Sequence, residues 1–214
     1  MNQEAAPNTG GFRLRWIVLC ALGFGGGLAG SLSVAAPVEA LVGMMLVTPV
    51  ILALAGSVLG GAQWLAVGRS WRAGARWVGT SAIGLGVGMT AGIVLVETLG
   101  RAVTGAQVHL LSVGLLGRLA GLMLVGALAG LALGTAQWLA VRTSASVGGP
   151  WVLWCTLGLG VGLPAGSLVA DLLGGLQTAP GFLVFLAVAG LTAGLFTARG
   201  GARIAAGLPL RPVA

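Results

Sequence analysis

The sequence has 214 residues, of which 57% are hydrophobic and only 7% are charged. An ordinary globular protein carries roughly 25% charged residues, so this composition excludes a soluble domain. The positive net charge comes from arginine alone, and the arginines lie at the ends of apolar runs. That placement is typical of membrane topology signals and not of a nucleic-acid-binding face.

Six apolar runs are long enough for membrane-spanning helices, which need about 20 apolar residues each. In chain order they are Trp16–Ala36, Leu41–Val67, Trp77–Gly100, Leu110–Val141, Trp151–Leu173 and Phe182–Ala198. They are separated by Pro37, Arg69–Arg76, Arg101–His109, Thr143–Pro150 and Gln177–Pro180. We therefore predict an all-α membrane protein with six transmembrane helices.

An internal repeat relates these runs to one another. The segment Gly130–Gly174 overlays Gly56–Gly100 at a constant shift of 74 residues without gaps, and Asp171 falls on Glu97. Self-similarity at a fixed period indicates repeated structural units. Each unit holds two spans, so all units are expected to insert in the same orientation.

The first run belongs to the same pattern at a shift of 135 residues. Trp16 and Cys20 match Trp151 and Cys155. This match argues against the alternative that the first run, which follows two arginines, is a cleaved signal peptide. The sixth run matches the fourth through its glycines but lacks the Gln-Trp pair. We predict three tandem two-helix repeats with pseudo-threefold symmetry about the membrane normal.

The sequence predicts five segments along the chain and the side of the membrane on which the two termini lie. A tail (1–12) precedes repeats at 13–68, 69–142 and 143–198, and a second tail (199–214) follows. One side holds nine arginines, Arg13, Arg15, Arg69, Arg72, Arg76, Arg142, Arg199, Arg203 and Arg211, while the other holds Arg101 and Arg118. Because arginine is enriched in cytoplasmic loops, both termini are expected on the cytoplasmic side of a bacterial inner membrane.

Glycines four residues apart lie on one face of several predicted helices. Three rows have three members each: Gly84, Gly88 and Gly92; Gly126, Gly130 and Gly134; and Gly158, Gly162 and Gly166. Such rows allow close helix packing in membranes. The alternative is that the Gly86- and Gly160-type positions line a narrow path on the pseudo-axis.

The chain has one acid near the far end of each repeat's first span: Glu39, Glu97 and Asp171. Glu97 and Asp171 each lie 20 residues after a tryptophan, about 30 Å along a helix. One interpretation is a ring of carboxylates at an outer mouth, and the other is three solvated interfacial acids. Arg118, at a similar depth, is expected to pair with Glu97 or Asp171.

Two glutamines, Gln63 and Gln137, occupy equivalent positions one turn inside the predicted cytoplasmic interface. Hydrogen bonding between helices is the expected role, and substrate contact is the alternative. Tryptophans near that interface predict an aromatic belt formed by Trp16, Trp64, Trp77, Trp138 and Trp151.

Chemically reactive residues are scarce, which bears on the functional class. One histidine, no lysine and no HExxH, CxxC or GxSxG motif occur. Paired haem ligation, a histidine-based metal triad and a Walker A lysine are therefore excluded. We expect no enzyme activity, no cofactor and no metal.

The three tandem two-helix repeats are similar in organisation to those of mitochondrial carriers. Pro37-Val38-Glu39 matches only the first part of the carrier signature, and Val42 stands where a basic residue belongs. No carrier function is implied.

We expect a structural or accessory subunit of a larger membrane complex, for example a respiratory or photosynthetic one. Its expected partners are lipids and either other membrane subunits or copies of itself, with no nucleic acid. The alternative is a small channel or transporter with the acidic ring on its axis.

Overall fold

The computed structural model describes residues 9–67, 71–105, 114–142 and 148–207, which are largely helical and contain no strand. Seven helices occur in these ranges: α1 (Thr9–Ser33), α2 (Ala35–Val42), α3 (Met44–Val67), α4 (Trp71–Thr104), α5 (Leu115–Val141), α6 (Gly149–Asp171) and α7 (Ala179–Gly207). All except α2 are long and apolar enough to cross a membrane. The predicted all-α fold with six candidate spans is confirmed.

The connection after the first span differs from the prediction. The helix α1 ends at Ser33, and the short helix α2 follows with Pro37 inside its first turn. Proline is tolerated there because first-turn N–H groups have no partner within the helix. Pro37 therefore lies between the first two spans, Gly10–Ser33 and Met44–Val67, as predicted, but within a short helix. No residue of α2 is buried, so this helix lies on the surface of the bundle.

Two spanning helices are much longer than their apolar runs. The helix α4 begins at Trp71, inside the predicted Arg69–Arg76 separator, and its 34 residues extend about 50 Å. Because the hydrocarbon core is about 30 Å thick, α4 projects beyond it. The helix α7 continues to Gly207, past the predicted end at Ala198. The predicted separator residue Arg69 and the loop residue His109 lie outside the described residues.

The six long helices form a closed ring in chain order. Each packs against the helix before it and the helix after it, and α7 closes the ring by packing on α1. The interior is filled with buried apolar side chains from all six, which are Phe24, Leu28, Leu52, Ala55, Leu59, Leu85, Met89, Leu122, Val125, Ala129, Leu133, Leu159, Leu163, Leu186 and Ala189. In a membrane such packing, and not the hydrophobic effect, holds helices together.

A glycine row contributes close backbone contacts between each pair of neighbouring helices in the ring. A Cβ atom at Gly126 would lie 2.2 Å from the Leu159 carbonyl oxygen, and one at Gly130 would lie 2.2 Å from the Cys155 carbonyl oxygen. Each row faces the next helix: Gly23 and Gly27 face α3; Gly56 and Gly60 face α4; Gly84, Gly88 and Gly92 face α5; Gly126, Gly130 and Gly134 face α6; Gly158, Gly162 and Gly166 face α7; and Gly190 and Gly194 face α1. These rows are therefore used in contacts within the ring.

Candidate functional site

A stripe of buried residues spaced four apart runs along the inner face of α1, α4 and α6. On α1 it begins with Trp16, Cys20 and Phe24, all 1% exposed or less. Trp77 and Trp151 begin the corresponding stripes on α4 and α6 and are equally buried. Because residues at i and i+4 share a helix face, each tryptophan points into the ring with the apolar residues that follow it.

The three inward tryptophans contact one another at one end of the ring. The Trp77 and Trp151 ring centroids are 5.7 Å apart, and those of Trp16 and Trp151 are 6.2 Å apart. Trp64 is also buried and lies 6.4 Å from Trp77, while Trp138 is half-buried against the same cluster. The tryptophans of the predicted interfacial belt thus lie together at one end of the ring, where helix packing encloses Trp16, Trp77 and Trp151.

Buried polar side chains lie beside this tryptophan cluster and form one hydrogen-bond network. Gln137 donates from Nε2 to Gln63 Oε1 and to Ser81 Oγ, both at 2.8 Å. Trp77 donates from Nε1 to Gln63 Oε1 at 3.2 Å, and Gln63 donates from Nε2 to Cys20 Sγ at 3.6 Å. The structure thus brings the two predicted glutamines together and joins α1, α3, α4 and α5.

A second inward tryptophan, Trp16 on α1, makes a hydrogen bond of the same type as that of Trp77. Trp16 Nε1 donates to Thr197 Oγ1 of α7 at 3.0 Å. Thr197 falls on Gln137 when the sixth run is overlaid on the fourth through their glycines. In two cases, then, an inward tryptophan donates to the glutamine-type position of the preceding helix in the ring.

The third tryptophan lacks the corresponding bond. Trp151 Nε1 and Gln137 Oε1 are both buried, and neither has a hydrogen-bond partner. The amide of Gln137 instead uses its donor to reach Gln63 and Ser81. An unsatisfied polar group away from water costs about 1–3 kcal/mol, so this corner of the network is its least stable part.

A cavity of about 20 Å³ lies inside the ring, lined by Cys20, Gln63, Cys155 and Thr197 together with apolar side chains. Such a space accommodates about one water molecule with polar partners. Both cysteines are free and buried. Sequence reasoning missed Ser81 and Thr197 as members of this site. Their repeat equivalence to Cys155 and Gln137 was the available signal.

The acidic residues lie at the other end of the helices. Asp171 forms an ion pair with Arg118, which ties the end of α6 to the beginning of α5. Glu97 is half-buried on α4, and Glu39 is exposed on α2. Within the described residues these two glutamates make no ion pair. Of the three acids predicted to form a carboxylate ring, Asp171 is therefore the one that has a charged neighbour within the described residues.

A groove of about 390 Å³ opens on the outside of the ring between α4 and α5. Its walls are apolar and include Val87, Ala91, Leu128, Leu131 and Thr135. Gly84 and Gly88 lie at its floor because they bring the two backbones together. The groove is much larger than the cavity inside the ring.

Side chains that could bind a metal ion do not form a cluster in the described part of the structure. Among the described residues, no three His, Cys, Asp or Glu side chains lie close enough to hold a metal ion.

Comparison with protein-family models, with curated proteins and with solved structures gives no match to this chain.

Proposed function

We propose that this protein is a non-enzymatic structural or accessory subunit of a larger membrane assembly. One observation carries the proposal: the ring has a filled interior and its large apolar recess lies on the outside. A protein built in this way offers its binding surface laterally, to another membrane component.

The filled interior follows from side chains contributed by all six long helices. The cavity beside the polar network inside the ring is about 20 Å³, which is far below the size of a typical ligand pocket of 300–1,000 Å³. Glycine contacts at backbone distance hold each neighbouring pair, so sliding of one helix past another would create overlaps.

The groove between α4 and α5 is the proposed docking surface for a partner helix. Its 390 Å³ and its apolar walls suit side chains of an adjacent transmembrane segment, which would gain van der Waals contact there. The exposed side chains of Ile83 and Val87 border the groove and would be covered by such a partner.

We also propose that the three hairpins are related by a pseudo-threefold axis along the membrane normal. The two bonds Trp16–Thr197 and Trp77–Gln63 support this symmetry because their donors and acceptors occupy equivalent repeat positions. The excess of arginine at one end supports an inner-membrane protein with both termini in the cytoplasm.

Native mass spectrometry of the protein purified from its own membranes in mild detergent tests the subunit role. Stoichiometric co-purifying membrane proteins are expected, and Ala91→Phe should release them by filling the groove. Val161→Phe is the matched control, because Val161 is exposed to the bilayer on α6, away from the groove. A clean monomer or homo-oligomer in the unmodified protein would overturn the proposal.

The buried polar network favours a second candidate, a small channel or transporter. Its amide, hydroxyl and thiol groups lie inside the ring, where a polar solute would have to pass. Flux of cations and small neutral solutes into liposomes tests this candidate. Flux that falls in Gln63→Leu would support it, and liposomes without flux would exclude it.

A further inference from the structure

A cavity of about 300 Å³ lies at the tryptophan end of the ring, where α6 begins and α7 ends. It is bordered by Gly148 and Pro150 at the start of α6, by Trp154 one turn later, and by Arg199 and Arg203 of α7. The proposed docking groove shares none of these residues. Trp151, whose indole N–H has no partner, also lines the cavity, so the cavity lies beside the tryptophan cluster and is distinct from the groove.

The charge in this cavity is uncompensated. Arg199 and Arg203 are four residues apart, so both guanidinium groups extend from one face of α7, and both are exposed. Within the described residues neither forms an ion pair, since Arg118 and Asp171 form the pair found there. Asp171 lies at the opposite end of α6, 22 residues after Gly149 or about 33 Å away. Two like charges at this spacing repel each other, and an anion between them would remove the repulsion.

The beginning of α6 adds a second favourable field. No side chain caps this terminus, and its first turn contains no acidic residue. The Trp151 N–H bonds the Gly148 carbonyl, and Pro150 has no N–H to offer. Although these two positions offer no N–H group, no cap or acidic residue neutralises the partial positive charge of the helix dipole, which favours an anion in the cavity.

The surroundings of the cavity favour a lipid over a soluble anion. The half-buried Trp154 packs against Phe196, with ring centroids 6.1 Å apart, as indole rings do at the level of headgroups. Leu195 lies one turn before Arg199 on the same face and is 61% exposed, so an acyl chain can lie along it.

We propose that this cavity binds the headgroup phosphate of an anionic phospholipid. The two arginines hold the phosphate oxygens, the α6 terminus adds its dipole, and the lipid chains lie along the outer faces of α6 and α7. Basic pockets between membrane helices on the cytoplasmic side commonly bind such headgroups.

The test measures phospholipid retained by the purified full-length protein, by native mass spectrometry with added phosphatidylglycerol or phosphatidylcholine. The unmodified protein should retain phosphatidylglycerol in preference to phosphatidylcholine. Arg199→Gln with Arg203→Gln should weaken that binding about thirtyfold, equivalent to roughly 1 kcal/mol for each arginine near an anionic surface. Arg76→Gln with Arg142→Gln is the matched control, since it removes the same charge from exposed arginines outside the cavity.

Three results would overturn the proposal. The first is equal retention of phosphatidylglycerol by the cavity variant and the unmodified protein. The second is an equal loss in the control variant, which would show general surface attraction instead of a site. The third is displacement of the lipid by millimolar inorganic phosphate, which would assign the cavity to a soluble anion. Thermal unfolding of each variant verifies that it is folded.

Discussion

The contact between α5 and α6 provides the sharpest test of how the ring is held together. Gly130 lies against the backbone of α6, and a Cβ added there would be 2.2 Å from the Cys155 carbonyl oxygen. The atom has no flexible side chain to displace, because the nearest neighbours are backbone atoms of Cys155 and Thr156. Gly130→Ala therefore has to push the two helices apart.

The expected cost can be worked from this distance. Restoring an ordinary carbon–oxygen separation of roughly 3.2 Å requires a shift of about 1 Å, and a gap of 0.5–1 Å already forfeits a quarter to a half of each dispersion contact nearby. Overpacking of this kind costs about 1–3 kcal/mol, from which alanine's better helix propensity subtracts up to about 1 kcal/mol. We expect a net loss of about 1–2 kcal/mol, or a fall in Tm of roughly 2–8 °C for a chain of this size.

Circular dichroism during heating in one mild detergent measures this change. Gly26→Ala is the matched control, because a Cβ at Gly26 meets no heavy atom within 4 Å on the outer face of α1. Its Tm should stay the same or rise slightly. If Gly130→Ala and Gly26→Ala melted at the same temperature, the argument that backbone contact at glycine holds α5 to α6 would be refuted.

The remaining predictions concern side chains inside the ring and the ion pair. Gln63→Leu should lower the free energy of unfolding by about 2 kcal/mol, because it removes hydrogen bonds to three other helices, and an unchanged Tm would contradict this. Trp16→Phe should destabilise more than Trp151→Phe by about 1 kcal/mol in thermal melts, since only the first indole N–H has a hydrogen-bond partner; the reverse order would refute the assignment. For Arg118→Gln and Asp171→Asn, a double-mutant cycle should give a coupling energy of about 0.5–1 kcal/mol that falls in high salt, whereas additive effects would exclude a contribution from the pair.

Much of the candidate site was within reach of sequence reasoning. The two glutamines were predicted to bond between helices, and Arg118 was expected beside Glu97 or Asp171. The network also contains Ser81 and Thr197, whose types differ from those at the equivalent positions in other repeats. Sequence reasoning missed these two residues because Ser81 and Thr197 differ in type from their repeat equivalents, Cys155 and Gln137, although each occupies the same helix face as its equivalent.

Span number and helix class depend on local properties, which is why the amino-acid sequence alone determined them. An apolar run of about 20 residues has to satisfy its backbone within itself in a bilayer, whatever its neighbours are. The spacing of the glycine rows is likewise a local property of each helix.

The tertiary structure alone decided which neighbour each face meets. Trp77 and Trp151 could face headgroups or the ring interior, and the closed order of the helices turns them inward. The same closure directs every glycine row to the next helix and selects Asp171 for Arg118. These outcomes depend on the rotation of each helix about its own axis, which is set by packing of all six helices together and not by any one apolar run.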